Sequence, residues 1–331
     1  MDTLLHKFME EIKRFFGALT TGYSASDFHS KMPQSKTLSD DELSIKLLAL
    51  AGKIKKVRPI TYICFTVGVA ALSAGRLEMI PKDIGLIVGL PVLACAAFFI
   101  FWGRSVNEDI RQLVSQNIVK DMLSETFTVK SYEPFGKVDR SAIRASALID
   151  DWDNCSGNNL VQGTYRGVDL SFSNLRIYRS GVDKSQKTLF NGQWLTCKLK
   201  IELPVTIRLR ERSANNKRMR SDVETENAFF NEKYQILTLY PNTANHILTP
   251  QFMETIIKMN ERANTRIFMS FKGDTVYIAL HNTSRLFEVN PKEILSGTSI
   301  AEVREHINEN IKYITNVVDE LLLDDYLFDQ R

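Results

Sequence analysis

The chain has 331 residues, of which 44% are hydrophobic and 24% are charged, and its formal net charge is +3. A net charge this small excludes a bulk electrostatic affinity for nucleic acid, and the length allows a membrane segment together with one soluble domain. The four cysteines form no Cys-x-x-Cys pair, which is typical of reduced thiols in a cytoplasmic setting.

The N-terminal region, residues 1–58, is predicted to lie in the cytoplasm and to contain two helices joined by a linker. Apolar residues recur at helical spacing over residues 4–19 and predict an amphipathic helix. Its mixed charges favour docking on protein, with docking on lipid as the alternative. Residues 21–38 have the Ser, Gly and Pro content of a linker. Ser39 and Glu42 then form a capping box that opens the second helix.

Two uncharged runs, residues 59–75 and 84–103, follow this region and are separated by eight residues. The second run is long enough as a helix to cross a hydrocarbon core of about 30 Å. A pair of buried core helices is the alternative, but a soluble core rarely contains two such runs joined by a short charged link. The pattern therefore predicts a transmembrane hairpin over residues 59–103. Because neither run contains a charged residue or His, a channel, pump or ion-coupled transporter is disfavoured.

The distribution of Lys and Arg predicts the orientation of this hairpin. Five of them lie in residues 42–58, whereas the link at residues 76–83 holds two. Since cytoplasmic flanks carry the excess of Lys and Arg, both termini are expected in the cytoplasm.

Gly85 and Gly89 form a G-x-x-x-G motif in the second run, which predicts close helix packing in the membrane. The motif fits packing of the two spans on each other and also fits oligomerisation, and both alternatives stay open.

Residues 104–130 are predicted to form a stalk. Ser105 and Glu108 repeat the capping-box pattern, so a separate helix is expected to begin there and to end near Glu125. A short helix is expected over residues 139–149, before an aspartate cluster, Asp150, Asp151 and Asp153. That cluster lacks the ligand spacing of a calcium loop and is interpreted as a solvated loop.

The remaining region, residues 131–331, has the pattern of a cytoplasmic α+β domain, an antiparallel sheet with flanking helices. From Leu160 onward the hydrophobic period is two, and turn residues predict hairpins at three pairs, Arg166-Gly167, Asn191-Gly192 and Gly273-Asp274. The long strand after Gly192 is expected to bend near Pro204. Thr249-Pro250 and the pair Ser299 and Glu302 are expected to start helices.

Four segments in this region resemble a family of bacterial membrane proteins known only as a domain of unknown function. They are GTYRGVDLSFSN at 163–174, TLFNGQW at 188–194, ENAFFNEKYQI at 226–236 and HILTPQFMETI at 246–256. The resemblance covers roughly residues 105–290. It implies a bacterial origin and a two-span hairpin followed by a cytoplasmic domain, and it implies no activity, cofactor or catalytic residue.

Motifs for chemistry are absent from the sequence. The five histidines have no zinc-ligand spacing, and no phosphate-binding loop, dinucleotide fingerprint or nucleophile elbow occurs. We therefore predict no metal, no cofactor and no catalytic residue.

One basic cluster is conspicuous, with six cations within thirteen residues. Its members are Arg208, Arg210, Arg212, Lys217, Arg218 and Arg220. Strand alternation predicts that the first three project together into solvent. The cluster is interpreted either as an ordinary solvated strand and loop or as a face attracted to the anionic cytoplasmic leaflet. Nucleic acid is disfavoured, because no aromatic residues are interleaved for base stacking.

The sequence thus predicts a membrane-anchored, non-enzymatic interaction protein, a scaffold or regulator, in the bacterial cytoplasmic (inner) membrane. Its expected partners are the lipid bilayer and either another protein or a second copy of the chain. The alternative is a membrane-tethered enzyme whose site is assembled only in the fold.

Overall fold

The computed structural model describes residues 38–181, 186–212 and 220–321. The amphipathic helix expected over residues 4–19, nearly all of the linker, and Lys217 and Arg218 of the basic cluster lie outside these residues.

Two long helices come first, α1 (Asp40–Arg76, 37 residues) and α2 (Lys82–Val114, 33 residues). As expected, α1 begins directly after Ser39. The helix predicted to start at Ser105 is not separate, because α2 runs through this position and continues its buried stripe to Val114. A π-helical turn (Ser115–Val119) and α3 (Lys120–Thr126) extend it further, so the stalk is the end of one long helix.

An antiparallel sheet of six strands follows in the described residues. The strands are β1 (Thr128–Glu133), β2 (Asn154–Tyr165), β3 (Val168–Ser180), β4 (Gln186–Glu211), β5 (Tyr234–Leu237) and β6 (Arg266–His281). Their order is β1-β2-β3-β4-β5, and β6 pairs with the other edge of β4. The long strand β4 is therefore the centre of the sheet.

One of the three predicted hairpins is confirmed. Arg166 and Gly167, with φ of 47° and 79°, join β2 to β3, and Tyr165 pairs with Val168. Both residues are left-handed, as a type I′ turn requires.

The other two hairpins are wrong, because Asn191-Gly192 and Gly273 lie inside continuous strands. A Cβ at Gly192 would overlap the carbonyl oxygen of Leu280 on β6, so this glycine permits a close approach of two strands. The register of β4 against β6 shifts between Lys198 and Ile207, where β4 carries extra residues. This irregularity agrees with the bend expected near Pro204.

Helices flank the sheet, as predicted for an α+β domain. They are α4 (Arg140–Ser146), α5 (Ala228–Lys233), α6 (Pro241–Ile247), α7 (Pro250–Ala263), α8 (Pro291–Leu295) and α9 (Ile300–Leu321). Thr249 caps α7 by accepting a hydrogen bond from the backbone nitrogen of Phe252. The capping box of α9 is confirmed, since Ser299 N donates to Glu302 Oε2 at 2.7 Å and Glu302 N donates to Ser299 Oγ at 3.2 Å.

The central strand is buried on both faces from Gly192 to Leu195. On one face, Trp194 of β4 is fully buried in a cluster that includes Ile143 of α4 and Trp152 of the loop after it. Lys198 and Lys200, further along the same face, are exposed. In another layer α7 packs on β6, where the rings of Phe252 and Phe271 lie 5.3 Å apart. Phe229 of α5 is 55% exposed.

Candidate functional site

The middle of the helix pair is covered with exposed apolar side chains. We call these residues the apolar belt, and its largest members are Ile60, Tyr62, Ile63, Phe65, Val67, Val69, Ile84, Leu86, Ile87, Val88, Leu90, Phe98, Ile100, Phe101 and Trp102. Both helices are long and apolar enough to cross a membrane. Only 11% of the most apolar stretch of α1 and 17% of that of α2 is buried.

Gly85 and Gly89 of the predicted packing motif face α1. A Cβ on Gly85 would lie 3.0 Å from the Cα of Gly75, and a Cβ on Gly89 would lie 2.6 Å from Leu72 Cγ. The two helices therefore approach each other through these glycines. This contact is the first of the two alternatives for the motif, and oligomerisation through it stays a prediction.

The other end of the helix pair packs on the α+β domain. The first half of α1 buries Leu43, Leu47, Ala51, Ile54 and Val57, and α1 contacts α8 and α9. At its start, Asp40 accepts from Arg304 of α9 at 2.9 Å. The helices are thus attached to the domain along several turns.

A ring of hydrogen bonds, which we call the polar ring, joins the end of α2 to the sheet and to the β6–α8 loop (residues 282–290). Ser115 of the π-helical turn lies 3.0 Å from the hydroxyl of Tyr132, which donates to Asn159 Oδ1 at 3.1 Å. Asn159 Nδ2 donates to the carbonyl of Leu286 at 2.8 Å. Burial raises the pKa of Tyr132 to about 12, so its hydroxyl remains a donor at neutral pH.

The second half of the polar ring returns to α2. Asn174 Nδ2 donates to the carbonyl of Leu286 at 3.0 Å and to Asn158 Oδ1 at 2.7 Å. Asn158 Nδ2 donates to Glu288 Oε1 at 2.6 Å, and Arg111 Nη2 donates to the same oxygen at 3.0 Å. Arg111 and Ser115 are one turn apart on the helix, which closes the ring.

Sequence motifs did not identify these asparagines. Asn158, Asn159 and Asn174 are at most 6% exposed, although asparagine is depleted in strands and costs free energy when buried without partners. Their burial within strands is the signal that could have identified them. It could be recognised only with burial known, because two of their partners, Leu286 and Glu288, lie more than 100 residues away.

The basic cluster does not form one exposed face. Arg208 Nη1 donates to the carbonyl of Ala147 at 3.0 Å, and Arg210 Nη2 donates to Asp150 Oδ2 at 2.6 Å. Their side chains are 28% and 19% exposed, so the expectation that they project into solvent is wrong for both. Arg212 Nε donates to the carbonyl of Asn231 at 3.2 Å, while Arg220 is exposed. A membrane-surface or anion-binding role of the cluster stays a prediction.

Asp150 of the aspartate cluster pairs with Arg210. In addition, Asp151 Oδ2 accepts from Arg179 at 2.9 Å, and Asp153 Oδ2 accepts from the backbone nitrogen of Ser180 at 2.7 Å. Asp150, Asp151 and Asp153 are exposed, as predicted for a solvated loop, and they also tie this loop to the sheet. Within the described ranges, no group of three His, Cys, Asp or Glu side chains is placed to hold a metal ion.

Similarity to known proteins covers parts of the chain. A search of curated proteins gives no match. Among solved structures, the chain is similar to the crystal structure of the mycobacterial trehalose monomycolate transport factor A, TtfA, with 12% identity and a TM-score of 0.32. That alignment covers 58% of this chain and 86% of the other. A likeness this low carries no argument about function.

Residues 188–323 match the model of a family described as a protein of unknown function, DUF3137. The match begins at residue 188, whereas the resemblance carried by the short segments begins near residue 105. At its other end the match includes all of α9. Three of the four segments lie inside it. The resemblance of this chain to a family of unknown function is therefore confirmed over residues 188–323.

Proposed function

We propose that this protein is a membrane-anchored, non-enzymatic interaction protein, a scaffold or regulator that presents its α+β domain at the cytoplasmic face of the bacterial inner membrane. The observation that carries the proposal is the exposure of the apolar belt. In a soluble protein such side chains would be buried, because about 25 cal/mol per Å² is lost for apolar surface left in water. Lipid removes this cost without a protein partner.

Residues at the domain end of the belt support this placement. Tyr62 and Trp102 are exposed there, and aromatic residues with polar atoms are enriched at the membrane–water interface. Arg58 and Arg104 follow on the domain side, where long cationic side chains reach water. At the opposite end, Lys82 and Glu78 form an exposed ion pair at 3.3 Å.

The attachment of the helices to the domain supports a presenting role. The polar ring and the buried stripe of α1 hold the domain against the end of the belt rather than on a free linker. On the domain, Phe229, Leu239 and Tyr240 are large exposed apolar side chains in the segments around β5. Exposed apolar surface of this kind supports contact with another protein or a second copy of the chain.

The anchoring role is tested by one cation placed inside the belt and one outside it. Val67 and Leu48 of α1 are 48% and 44% exposed, and Leu48 lies before the belt. An Arg near the centre of a span costs about 2.5–3.5 kcal/mol for insertion. We expect the wild type and Leu48→Arg to stay in membranes washed with alkaline carbonate, and Val67→Arg to be reduced there. Extraction of the wild type, or equal retention of both variants, contradicts the proposal.

A further inference from the structure

A small cavity of about 160 Å³ lies beside the polar ring. Its floor is one face of the sheet, where strand pairing aligns Ser156 of β2, Arg176 of β3 and Asn191 of β4 in one row. Asn158 and Asn174 form the row two residues further along, which has the same facing. The side walls are Arg111 of α2 and two residues of the β6–α8 loop, Ser284 and Arg285.

The lining of this cavity is strongly cationic. It contains three guanidinium groups, and in the described chain its lining residues include no Asp or Glu. The neighbouring Glu288 accepts from Arg111 at 3.0 Å and from Arg285 at 3.3 Å. Arg176 donates to the neutral hydroxyl of Thr188 at 2.9 Å. Three positive charges thus face one carboxylate, which leaves an excess of positive charge at the cavity.

The loop that carries Arg285 is held in place before any ligand arrives. Asn174 binds both the carbonyl and the backbone nitrogen of Leu286, at 3.0 and 2.8 Å, which fixes the loop that carries Arg285. Gln193 Nε2 donates to the carbonyl of Ser284 at 2.5 Å. Groups that are already ordered lose little conformational entropy on binding, so this arrangement favours affinity.

The size of the cavity limits the class of ligand. Its volume is room for about five water molecules at roughly 30 Å³ each and is below the 300–1,000 Å³ typical of drug-sized ligands. Arginine guanidinium groups match the paired oxygens of phosphate, and serine and asparagine side chains add neutral donors. We propose that the cavity binds a phosphate group, presented by a free phosphate or by a lipid headgroup.

Both sources fit the position of the site. Arg111 follows Gly103, the end of the second uncharged run, by eight residues, or about 12 Å of helix. A phosphate on a lipid headgroup and one from the cytoplasm can both reach that level. Binding of free phosphate does not require insertion in a membrane, so this site goes beyond the proposed anchoring role and is tested separately.

The test uses the full chain in detergent, titrated with inorganic phosphate in a calorimeter at an ionic strength held constant with sodium chloride. We expect saturable binding by the wild type. Arg176→Gln and Arg285→Gln should each weaken binding at least tenfold, and the double variant should show none. Arg304→Gln, which removes an exposed arginine of α9 outside the cavity lining, should bind as the wild type does.

A second variant separates loss of binding from loss of fold. Ser156 is exposed, so Ser156→Asp adds a carboxylate to the cavity without removing a buried contact. It should unfold at the wild-type temperature in chloride and bind phosphate at least tenfold more weakly. The proposal would be overturned if titrating the wild type with phosphate released no more heat than titrating it with chloride. It would also be overturned if the wild type, the double variant and Ser156→Asp bound phosphate equally.

The source of the phosphate is read from the same proteins placed in lipid nanodiscs. If a headgroup enters the cavity, the unfolding temperature should be higher in phosphatidic acid than in phosphatidylcholine. This difference should disappear in the double variant. If only free phosphate stabilises the protein in both lipids, the ligand comes from the cytoplasm. Either result supports the site, and stabilisation by phosphatidic acid that persists in the double variant contradicts a headgroup in this cavity.

Discussion

Gly192 needs to be a glycine for a different reason from the one its sequence pattern indicates. Its neighbour Asn191 suggested a two-residue turn, which would require positive φ at both positions. In the structure, Gly192 pairs with Leu175 on one side and His281 on the other, so it lies between two strands. The missing side chain is needed for space, because the carbonyl oxygen of Leu280 occupies the Cβ position.

We expect Gly192→Val to destabilise the domain by about 3 kcal/mol or more, since β4 and β6 would have to separate. Gly52→Val is the control, because a Cβ at Gly52 of α1 meets no atom within 4 Å. The measurement is the thermal unfolding midpoint of the full chain in detergent. An unchanged midpoint for Gly192→Val would show that the strands are further apart than described.

His281 gives the domain a pH dependence at the residue scale. Its ring lies 5.7 Å from that of Phe190, and burial lowers its pKa, with a smaller contribution from Arg266. In the unfolded chain the pKa of His281 has its ordinary value of about 6.5, so the unfolded chain binds a proton more readily than the folded chain. Neutral, buried His281 therefore contributes stability that is present above pH 6.5 and is lost as the pH falls below that value.

The prediction is that His281→Phe loses less stability than the wild type between pH 7.5 and 5.5. Phenylalanine fills the site beside Phe190 and carries no titrating group. Hydrogen bonds with Ser141 and Lys198 lower the pKa values of Asp139 and Asp274 further below this pH range, so neither carboxyl accounts for the difference. Unfolding midpoints at the two pH values measure the difference, and identical pH dependence would exclude His281 as its source.

At the scale of elements, the loop after α4 is held on β4 by arginine. Arg210 donates to Asp150 at 2.6 Å and to the carbonyl of Leu148 at 3.2 Å, and Leu148 is buried beside Trp152. Strand alternation alone predicts that Arg210 is exposed, because alternation describes one strand and not the segment that covers it. The covering segment lies about 60 residues earlier in the chain.

We therefore expect Arg210→Gln to lower stability by about 1–3 kcal/mol, because a partly buried charged hydrogen bond is lost and Asp150 keeps a weaker partner. Lys198→Gln is the matched control on the same strand. It removes a pair with Asp274 at 2.7 Å whose members are 52% and 55% exposed, and exposed pairs contribute about 0–1 kcal/mol. Denaturant unfolding compares the two, and equal losses would mean that the loop is not held by Arg210.

At the scale of the whole molecule, the start of α1 and the end of α2 both contact the domain, so both lie on the same side of the apolar belt. The link between α1 and α2, residues 77–81, lies at the other end. With five Lys and Arg in residues 42–58, the domain side is expected to be cytoplasmic. This orientation is part of the proposed function and has a direct test.

A reporter that is active only in the cytoplasm should be active when fused after Arg331 and inactive when inserted between Met79 and Ile80. The reverse result would contradict the orientation inferred from the charges. Activity at both positions would contradict the crossing itself, whichever direction the charges favour.

The features that could be predicted from the sequence alone depend on neighbouring residues. Two uncharged runs are enough for two long apolar helices, Arg166-Gly167 is enough for a tight turn, and Ser299 with Glu302 is enough for a helix start. In each case the interacting atoms are a few residues apart, so the local pattern contains the whole interaction.

The remaining features depend on contacts between distant segments. Gly273 lies inside β6 and not in a turn, because β6 continues past it along the part of β4 that carries extra residues. Arg210 was neutralised and not exposed, because Asp150 is brought onto its face of the sheet. The asparagines of the polar ring and the arginines of the cavity come from α2, β2, β3 and the β6–α8 loop. Such sites depend on which distant segments meet, and that depends on strand register and on the element that covers each face.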